Sequence, residues 1–395
     1  MKNKSNFISR PDRSTAASAL VVVLILGIFA SLYFYAHDGN EAALKPKEYA
    51  EYEKGRVTEI LMDNCEISEV AENAYRGDQK LLVEVASGQY KGETMLVSGF
   101  VGPIYGEPAK VGQSLVLCIN TYADGSHTAT VYEYNRTPIV FLVLGIFVLV
   151  TIAVGGRTGA KSVLGLILTM VVILTVFLPL LMKGWRPIPT SFLLCSLVAV
   201  ACFVILGGCS KKVLCACIGT IGGVAISMLF GILTQRLLHL DGLRATDAEA
   251  LLQLRQTGTP VHIRGLLVAG VIISALGAVM DVAMSIASAQ SELKKVDPDL
   301  SARALWRSGM SIGRDMVGTM TNTLILAILG SGMVLILYLY SLNLSWYQLM
   351  ASSYIAIELI SSVSSAIGVI LAVPLTNAAG ALLYTARAKN AENKK

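Results

Sequence analysis

Apolar residues come in long unbroken runs over most of the chain. Eight runs of about 20 residues, the length that crosses a bilayer as a helix, cover approximately 16–36, 137–154, 162–182, 190–208, 213–233, 264–287, 316–341 and 352–376. Between the first two runs the period changes. Residues 56–61, 81–85, 93–97, 114–119 and 128–132 read as strands, separated by Gly- and Asp-rich turns. Five short strands in about 80 residues suit a small closed or half-open barrel of OB-like size. The pattern therefore predicts an α-helical polytopic membrane protein of about eight transmembrane helices with a small all-β, OB-like barrel domain. It divides the chain into a tail with the first helix (1–36), the barrel (37–136), a seven-helix domain (137–385) and a C-terminal tail (386–395).

Composition removes the alternatives. Of 395 residues, 54% are hydrophobic and 15% charged, with a mean hydropathy of +0.62. A soluble domain carries about 25% charged residues, so a cytosolic enzyme, a disordered chain and a coiled coil are excluded. Seven cysteines are too sparse for a disulfide scaffold.

The net charge of +5 hides a division. Residues 37–136 hold 16 acidic and nine basic side chains, and the rest of the chain holds 11 and 23. The basic residues lie in small clusters between apolar runs, which fits cytoplasmic loops beside anionic lipid and not a nucleic-acid surface. With the N-terminus inside, the inner segments carry 17 Lys and Arg and the short outer loops six. The positive-inside rule then places both termini in the cytoplasm of a multi-pass cell-membrane protein, with the barrel extracytoplasmic. The first run follows a basic tail (Lys2, Lys4, Arg10, Arg13) and exceeds a typical cleaved signal in length. No small-residue cleavage site follows it, so it reads as an uncleaved signal anchor.

Ionisable residues inside spans are costly, and by default they are functional candidates. In the sixth run Gly270, Ser274, Gly277, Asp281 and Ser285 share one helical face. That small, polar face is one a neighbouring helix could approach closely. In the seventh, Ser311, Asp315, Gly318, Thr319 and Asn322 share a face, with Arg314 placed to pair with Asp281. In the eighth, Glu358 is followed by Ser361, Ser362 and Ser365, and Pro374 should kink or end the helix. Lys183 and Arg186 are basic partners on the same side for Glu358. The set Asp281, Arg314, Asp315, Thr319, Asn322 and Glu358 thus sketches a proton or cation pathway at two depths. The bland readings stand beside it: an Asp281–Arg314 structural pair, a first-turn Asp315 favoured by the helix dipole, and Ser, Thr and Gly as helix-packing residues.

Other signals are weaker. The turn Gly155-Gly156-Arg157-Thr158-Gly159-Ala160-Lys161-Ser162 lacks the phosphate-loop spacing and joins two apolar runs. Cys65 and Cys118 could form one disulfide, although nothing in the sequence brings them together. Cys209, Cys215 and Cys217 have no histidine nearby, so no metal or other cofactor is expected. The loop 234–263 reads as short interfacial helices, and the loop 288–314 as a Pro298 break before a helix start at Asp299 or Ser301. No internal repeat is evident.

Two stretches resemble a known family. They are Gly-Ala-Val-Met-Asp-Val-Ala-Met-Ser-Ile-Ala-Ser from Gly277 to Ser288, and Gly-Met-Ser-Ile-Gly-Arg-Asp-Met-Val-Gly-Thr-Met-Thr-Asn-Thr-Leu from Gly309 to Leu324. With Gly155-Gly156-Arg157, Lys183-Gly184-Trp185 and Val373-Pro374, they are similar to the YibE/F family over about 137–385. The resemblance implies an integral protein of bacterial cytoplasmic membranes. It carries over no activity and no catalytic residue, and only directs attention to Asp281, Arg314, Asp315 and Asn322.

Three functions compete. The polar chain points to a secondary transporter or permease, with a proton or cation and a small molecule as partners besides the lipid bilayer. The acidic barrel fits a non-catalytic assembly or sensor protein with a membrane partner or a second copy. Two aspartates also raise an intramembrane aspartyl protease. The sequence Ile312-Gly313-Arg314-Asp315 departs from the Gly-x-Gly-Asp pattern of such enzymes, so no enzyme is expected.

Overall fold

The computed structural model describes residues 13–38, 50–69, 74–122, 125–240, 248–256 and 258–392. They form two compact units, Glu41–Val154 on one hand and Met1–Asn40 with Gly155–Lys395 on the other.

The first unit is a barrel. Its strands are β1 (Ala50–Asp63), β2 (Glu66–Ser68), β3 (Ala74–Val85), β4 (Thr94–Val101), β5 (Ser114–Thr121) and β6 (His127–Tyr134). In β4 every second residue is buried, which is the period-2 pattern of one wetted and one core face. Neighbours run β1-β5-β6-β4-β3, and β1 also pairs with β3, so the five longer strands close on themselves. The pairs are antiparallel except β4 with β6. Closure requires β1 to serve two neighbours, and register shifts between Val57 and Glu59 and between Ile60 and Met62 turn it. Gly55 lies at the changeover, where a Cβ would stand 2.5 Å from Val83 and 2.8 Å from Leu117. Val57, Leu81, Val83, Val97, Leu117 and Ile119 fill the interior.

Two residues join β6 to the next helix, and one is pinned. Asn135 bonds Ser114 of β5 through its backbone (3.2 Å) and its amide (3.0 Å), while its Oδ1 accepts from Thr137 N at 3.3 Å. The helix that follows, α2 (Thr137–Val172), continues through a π-helical turn (Ile173–Phe177) into α3 (Leu178–Met182). The backbone leaves helical values at Gly156 (φ 54, ψ −133).

The second unit is helical. Besides α1 (Arg13–His37) it contains α4 (Pro187–Gly207), α5 (Lys211–Leu237), α6 (Ala248–Gln256), α7 (Leu266–Val296), α8 (Ala302–Ser331), α9 (Met333–Ser341), α10 (Trp346–Ala351) and α11 (Ser353–Glu392). Among the described residues six helical stretches are long and apolar enough to cross a membrane. A seventh is the α8–α9 pair, bent by 61°. The eight apolar runs thus appear as seven stretches, because 137–154 and 162–182 belong to one stretch of 46 residues broken at Gly156.

Three further expectations are resolved. Pro374 does not end its helix, which continues to Glu392. Of the two expected helix starts it is Ser301 that caps α8, its hydroxyl accepting from Ala304 N at 3.2 Å. Cys65 and Cys118 are free thiols. Of the 247–255 stretch expected to be helical, 248–255 lies in α6, and 241–247 lies outside the described residues.

Helix ends meet in two groups. Cys209 N donates to Ser18 (2.8 Å), Lys161 to the Leu206 carbonyl (3.3 Å), and Lys211 to the Leu383 carbonyl (2.8 Å). At the other end Lys183 donates to the Tyr35 carbonyl and lies over the Tyr35 ring, and that ring sits 5.8 Å from Trp185. The tightest contact is between α5 and α11. Gly219, Gly223 and Ser227 recur every four residues on α5, opposite Gly368, Ala372 and Thr376 on α11. Small residues let backbones approach where lipid offers no hydrophobic drive. A Cβ on Gly368 would lie 1.8 Å from Ser227 Oγ, and one on Gly219 1.8 Å from Thr376 Oγ1.

Candidate functional site

Helical spacing on α7 groups Gly270, Ser274, Gly277, Asp281 and Ser285, and all five are exposed on a helix otherwise largely buried. The expected close approach of a neighbouring helix does not occur at the two glycines of this face. A Cβ on Gly270 or Gly277 would meet nothing within 4 Å. On α8 the predicted face behaves alike: Ser311, Arg314, Asp315, Gly318, Thr319 and Asn322 are exposed, and Gly318 faces open space. Thr319 spends its hydroxyl on its own helix, donating to the Met316 carbonyl at 3.1 Å.

The Asp281–Arg314 pair is not formed. Among the described residues the ion pairs are Arg136–Glu133 and Lys295–Glu292. Asp281, Arg314, Asp315 and Glu358 are therefore unpaired there. Lys183 is engaged with Tyr35, not with Glu358. Asp315 is the fourteenth residue of α8, so the first-turn dipole reading does not hold.

Depth can be counted along the helices. Val296 ends α7 and Ala302 begins α8, so both start from one short turn. At 1.5 Å per residue, Asp281 lies about 22 Å from that turn along α7, and Arg314 and Asp315 about 18–20 Å along α8. The three charged groups therefore occupy one level. No hydrogen bond joins the Asp281 and Asp315 carboxylates among the described residues, so the shared-proton dyad of an aspartyl protease is not formed.

A bond between helices links the two ends of the chain of polar groups. Ser274 Oγ on α7 and Ser365 Oγ on α11 are 3.0 Å apart. The two helices run in the same direction, since Gln290 and Asn377, further along each, also meet. Glu358 precedes Ser365 by seven residues, and Asp281 follows Ser274 by seven. Each interval is about 10 Å of helix. The hydroxyl pair thus stands midway along a polar track of about 21 Å from half-buried Glu358 to Asp281. Ser361 and Ser362 lie on the Glu358 side of it, and Ser362 Oγ donates to the Glu358 carbonyl at 2.8 Å.

Sequence reasoning missed the best-buried polar node. Gln290 and Asn377 are fully buried. Gln290 Nε2 donates to the Asn377 side chain and to its carbonyl, the latter at 3.2 Å. Asn377 Nδ2 donates to the Trp306 carbonyl at 2.7 Å, tying α7, α8 and α11 together. Gly309 and Gly380 make room, since a Cβ on either would collide with an amide of this pair. Uncharged amides carried no signal of cost in the sequence, although a buried amide without partners is expensive. Gln290 Oε1, Thr220 Oγ1, Ser227 Oγ and Ser364 Oγ are buried without a hydrogen-bond partner. No group of three or more His, Cys, Asp or Glu able to hold a metal occurs among the described residues.

The arrangement offers unpaired carboxylates at two depths with hydroxyls between them. Such groups can take up a proton or replace part of a cation's hydration shell. Comparison with protein families matches residues 143–386 to the family described as YibE/F-like protein. No match was found among curated proteins or among solved structures.

Proposed function

Because the chain belongs to the YibE/F-like family and is built around membrane-length apolar helices, we propose that it is a secondary transporter of the cell membrane. Protons or cations would move along the track formed by α7, α8 and α11. The observation that carries this reading is the Ser274–Ser365 hydroxyl pair midway between unpaired Glu358 and Asp281. By the same count along α8, Arg314 and Asp315 lie at the level of its inner end, and Thr319 and Asn322 lie further along towards the level of the hydroxyl pair.

Parity supports a reading with eight crossings. The start of α1 meets Cys209 and its end meets Lys183. The stretch 157–182 starts at Lys161, beside Leu206, and also ends at Lys183. The two therefore run in the same direction, and the chain between 38 and 157 must return across the membrane once. Residues 137–154 are the apolar segment available. The 46-residue stretch is about 69 Å long, over twice a hydrocarbon core of about 30 Å, so Gly156 serves as the turn. The end bearing Arg157, Lys161, Lys211, Lys212, Lys294 and Lys295 is then cytoplasmic. Both termini lie on that side, and the 37–136 domain lies outside.

The test is flux. Full-length protein in proteoliposomes with a pH-sensitive dye should give proton-linked flux that falls in Asp281→Asn and in Glu358→Gln. Unchanged flux with unchanged pH dependence in both variants would sink the reading. A second reading rests on the uncovered polar face of α7 and α8, which a membrane partner or a second copy would cover. Stoichiometric co-purification without flux would favour that assembly or sensor role.

A further inference from the structure

The barrel unit contains a cavity of about 410 Å³, within the size range of small-molecule sites. Its floor is apolar, from Leu81, Leu115 and Val131. Its rim is not. Phe100 and Tyr105 stand on one side, each 64% exposed and with ring centroids 6.0 Å apart. Glu107, Glu133 and Arg136 supply charges of both signs. Arg136 pairs with Glu133, and Glu107 has no ion-pair partner among the described residues. The loop behind the aromatic side is a closed lasso: Gly102 and Gly106 exchange backbone hydrogen bonds, at 3.2 and 2.7 Å. Gly106 has φ +100, which a side chain would strain. The lasso presents Ile104 with 91% of its surface bare.

The covalent structure sets the height of this cavity. Arg136, on its rim, is the residue before Thr137, where α2 begins and runs at once into Ile139, Val140, Phe141 and Leu142. Asn135 ties β5 to that helix start through Ser114 and Thr137. If 137–154 crosses the membrane, as proposed above, the cavity mouth stands at headgroup level, with aromatic and aliphatic side chains beside it. Aromatic side chains are enriched at that level because their rings sit among headgroups.

We propose that this cavity is a lipid-headgroup site for a zwitterionic phospholipid with a primary ammonium, such as phosphatidylethanolamine. Arg136 faces the phosphate, Glu107 receives the ammonium, and Ile104 with Phe100 and Tyr105 enters the acyl boundary. The domain's excess of acidic over basic residues disfavours anionic headgroups. A quaternary ammonium offers Glu107 no N–H to accept. The inference rests on the topology proposed above, and the experiment separates the two.

The full-length chain carries Cys65→Ser, Cys118→Ser and Cys209→Ser and a bimane on Ile104→Cys or Leu144→Cys. It is placed in phosphatidylcholine nanodiscs doped with either phosphatidylethanolamine or phosphatidylglycerol brominated near the headgroup end of the acyl chains. The label at 104 should be quenched, more by the ethanolamine lipid than by the glycerol lipid at equal mole fraction. That preference should be lost in Glu107→Gln, a residue with no structural bond to break, and in Arg136→Gln. Equal quenching by both lipids overturns the headgroup site. So does an unquenched label at 104 when the label at 144 is quenched, and in that case the span survives. If 144 is not quenched by lipid brominated deep in the chains, the topology fails and takes this inference with it.

Discussion

The α5–α11 contact makes a quantitative prediction through Gly368→Ala. The added Cβ would sit 1.8 Å from Ser227 Oγ and 2.8 Å from the Gly223 carbonyl, against an ordinary contact of 3.4 Å or more. Ser227 cannot simply swing away, because its own Cβ is 3.0 Å from the new methyl. The helices must part by roughly 1 Å, and overpacking of that kind costs about 1–3 kcal/mol. Parting them also loosens the row at Gly223 and Ala372. With Cys65, Cys118 and Cys209 replaced by Ser, a thiol-reactive dye reports unfolding directly in detergent, since Cys195, Cys202, Cys215 and Cys217 are buried free thiols. Gly368→Ala should expose them at a clearly lower temperature. Ser227→Ala should restore only part of the loss in the double variant, because the Gly223 carbonyl still obstructs. Gly277→Ala is the control. It meets nothing within 4 Å and removes a helical glycine, so it should be neutral or stabilising by up to about 1 kcal/mol. If Gly368→Ala is as benign as Gly277→Ala, the close approach of α5 and α11 is wrong. If Gly277→Ala is as harmful as Gly368→Ala, the α7 face is covered in the membrane.

Three other outcomes can be checked. Asn377→Leu removes the acceptor and donor that join Gln290 to Trp306. With only the residue 377 carbonyl left to Gln290, it should cost about 1–3 kcal/mol in the same thiol assay, whereas Asn377→Gln should keep part of the stability. Gln79→Ala in the barrel loses the bonds to Ala109 N (2.8 Å), the Ala109 carbonyl (3.4 Å) and Asp63 (3.0 Å). Hydrogen exchange in residues 102–113 should rise while that in α11 stays unchanged. Burial, then the Asp63 carboxylate, push the Cys65 thiol up to about 11. Only about one part in a thousand is then thiolate at pH 8, and the thiolate is the nucleophile. Maleimide labelling of Cys65 should be slow at pH 8, rise as pH approaches 11, and speed up in Asp63→Asn. Fast labelling of Cys65 at pH 7 would refute that environment.

Local pattern determined more of this protein than long-range contact did. Runs of about 20 apolar residues are self-sufficient as spans, because a helix satisfies its own backbone in lipid. The change of period and the turn residues marked where β1, β3, β4, β5 and β6 lie. Helical spacing grouped Gly270 to Ser285 and Ser311 to Asn322, which do share faces. Tertiary structure alone decided what lies opposite those faces. Arg314 is adjacent in sequence to an acidic residue and at the same level as Asp281, yet the two do not pair, since level fixes height and not azimuth. The Ser274–Ser365 bond spans 91 residues, and the Gln290–Asn377 node 87. Neither has a local signature, because the partner's position depends on how α7, α8 and α11 cross. The small-residue rows on α5 and α11 were visible as spacing, but Ser, Thr and Gly recur every four residues on several helices. Which rows interlock, Gly219 with Thr376 and Gly368 with Ser227, and which remain open, like Gly270 and Gly277, is a property of the assembled bundle.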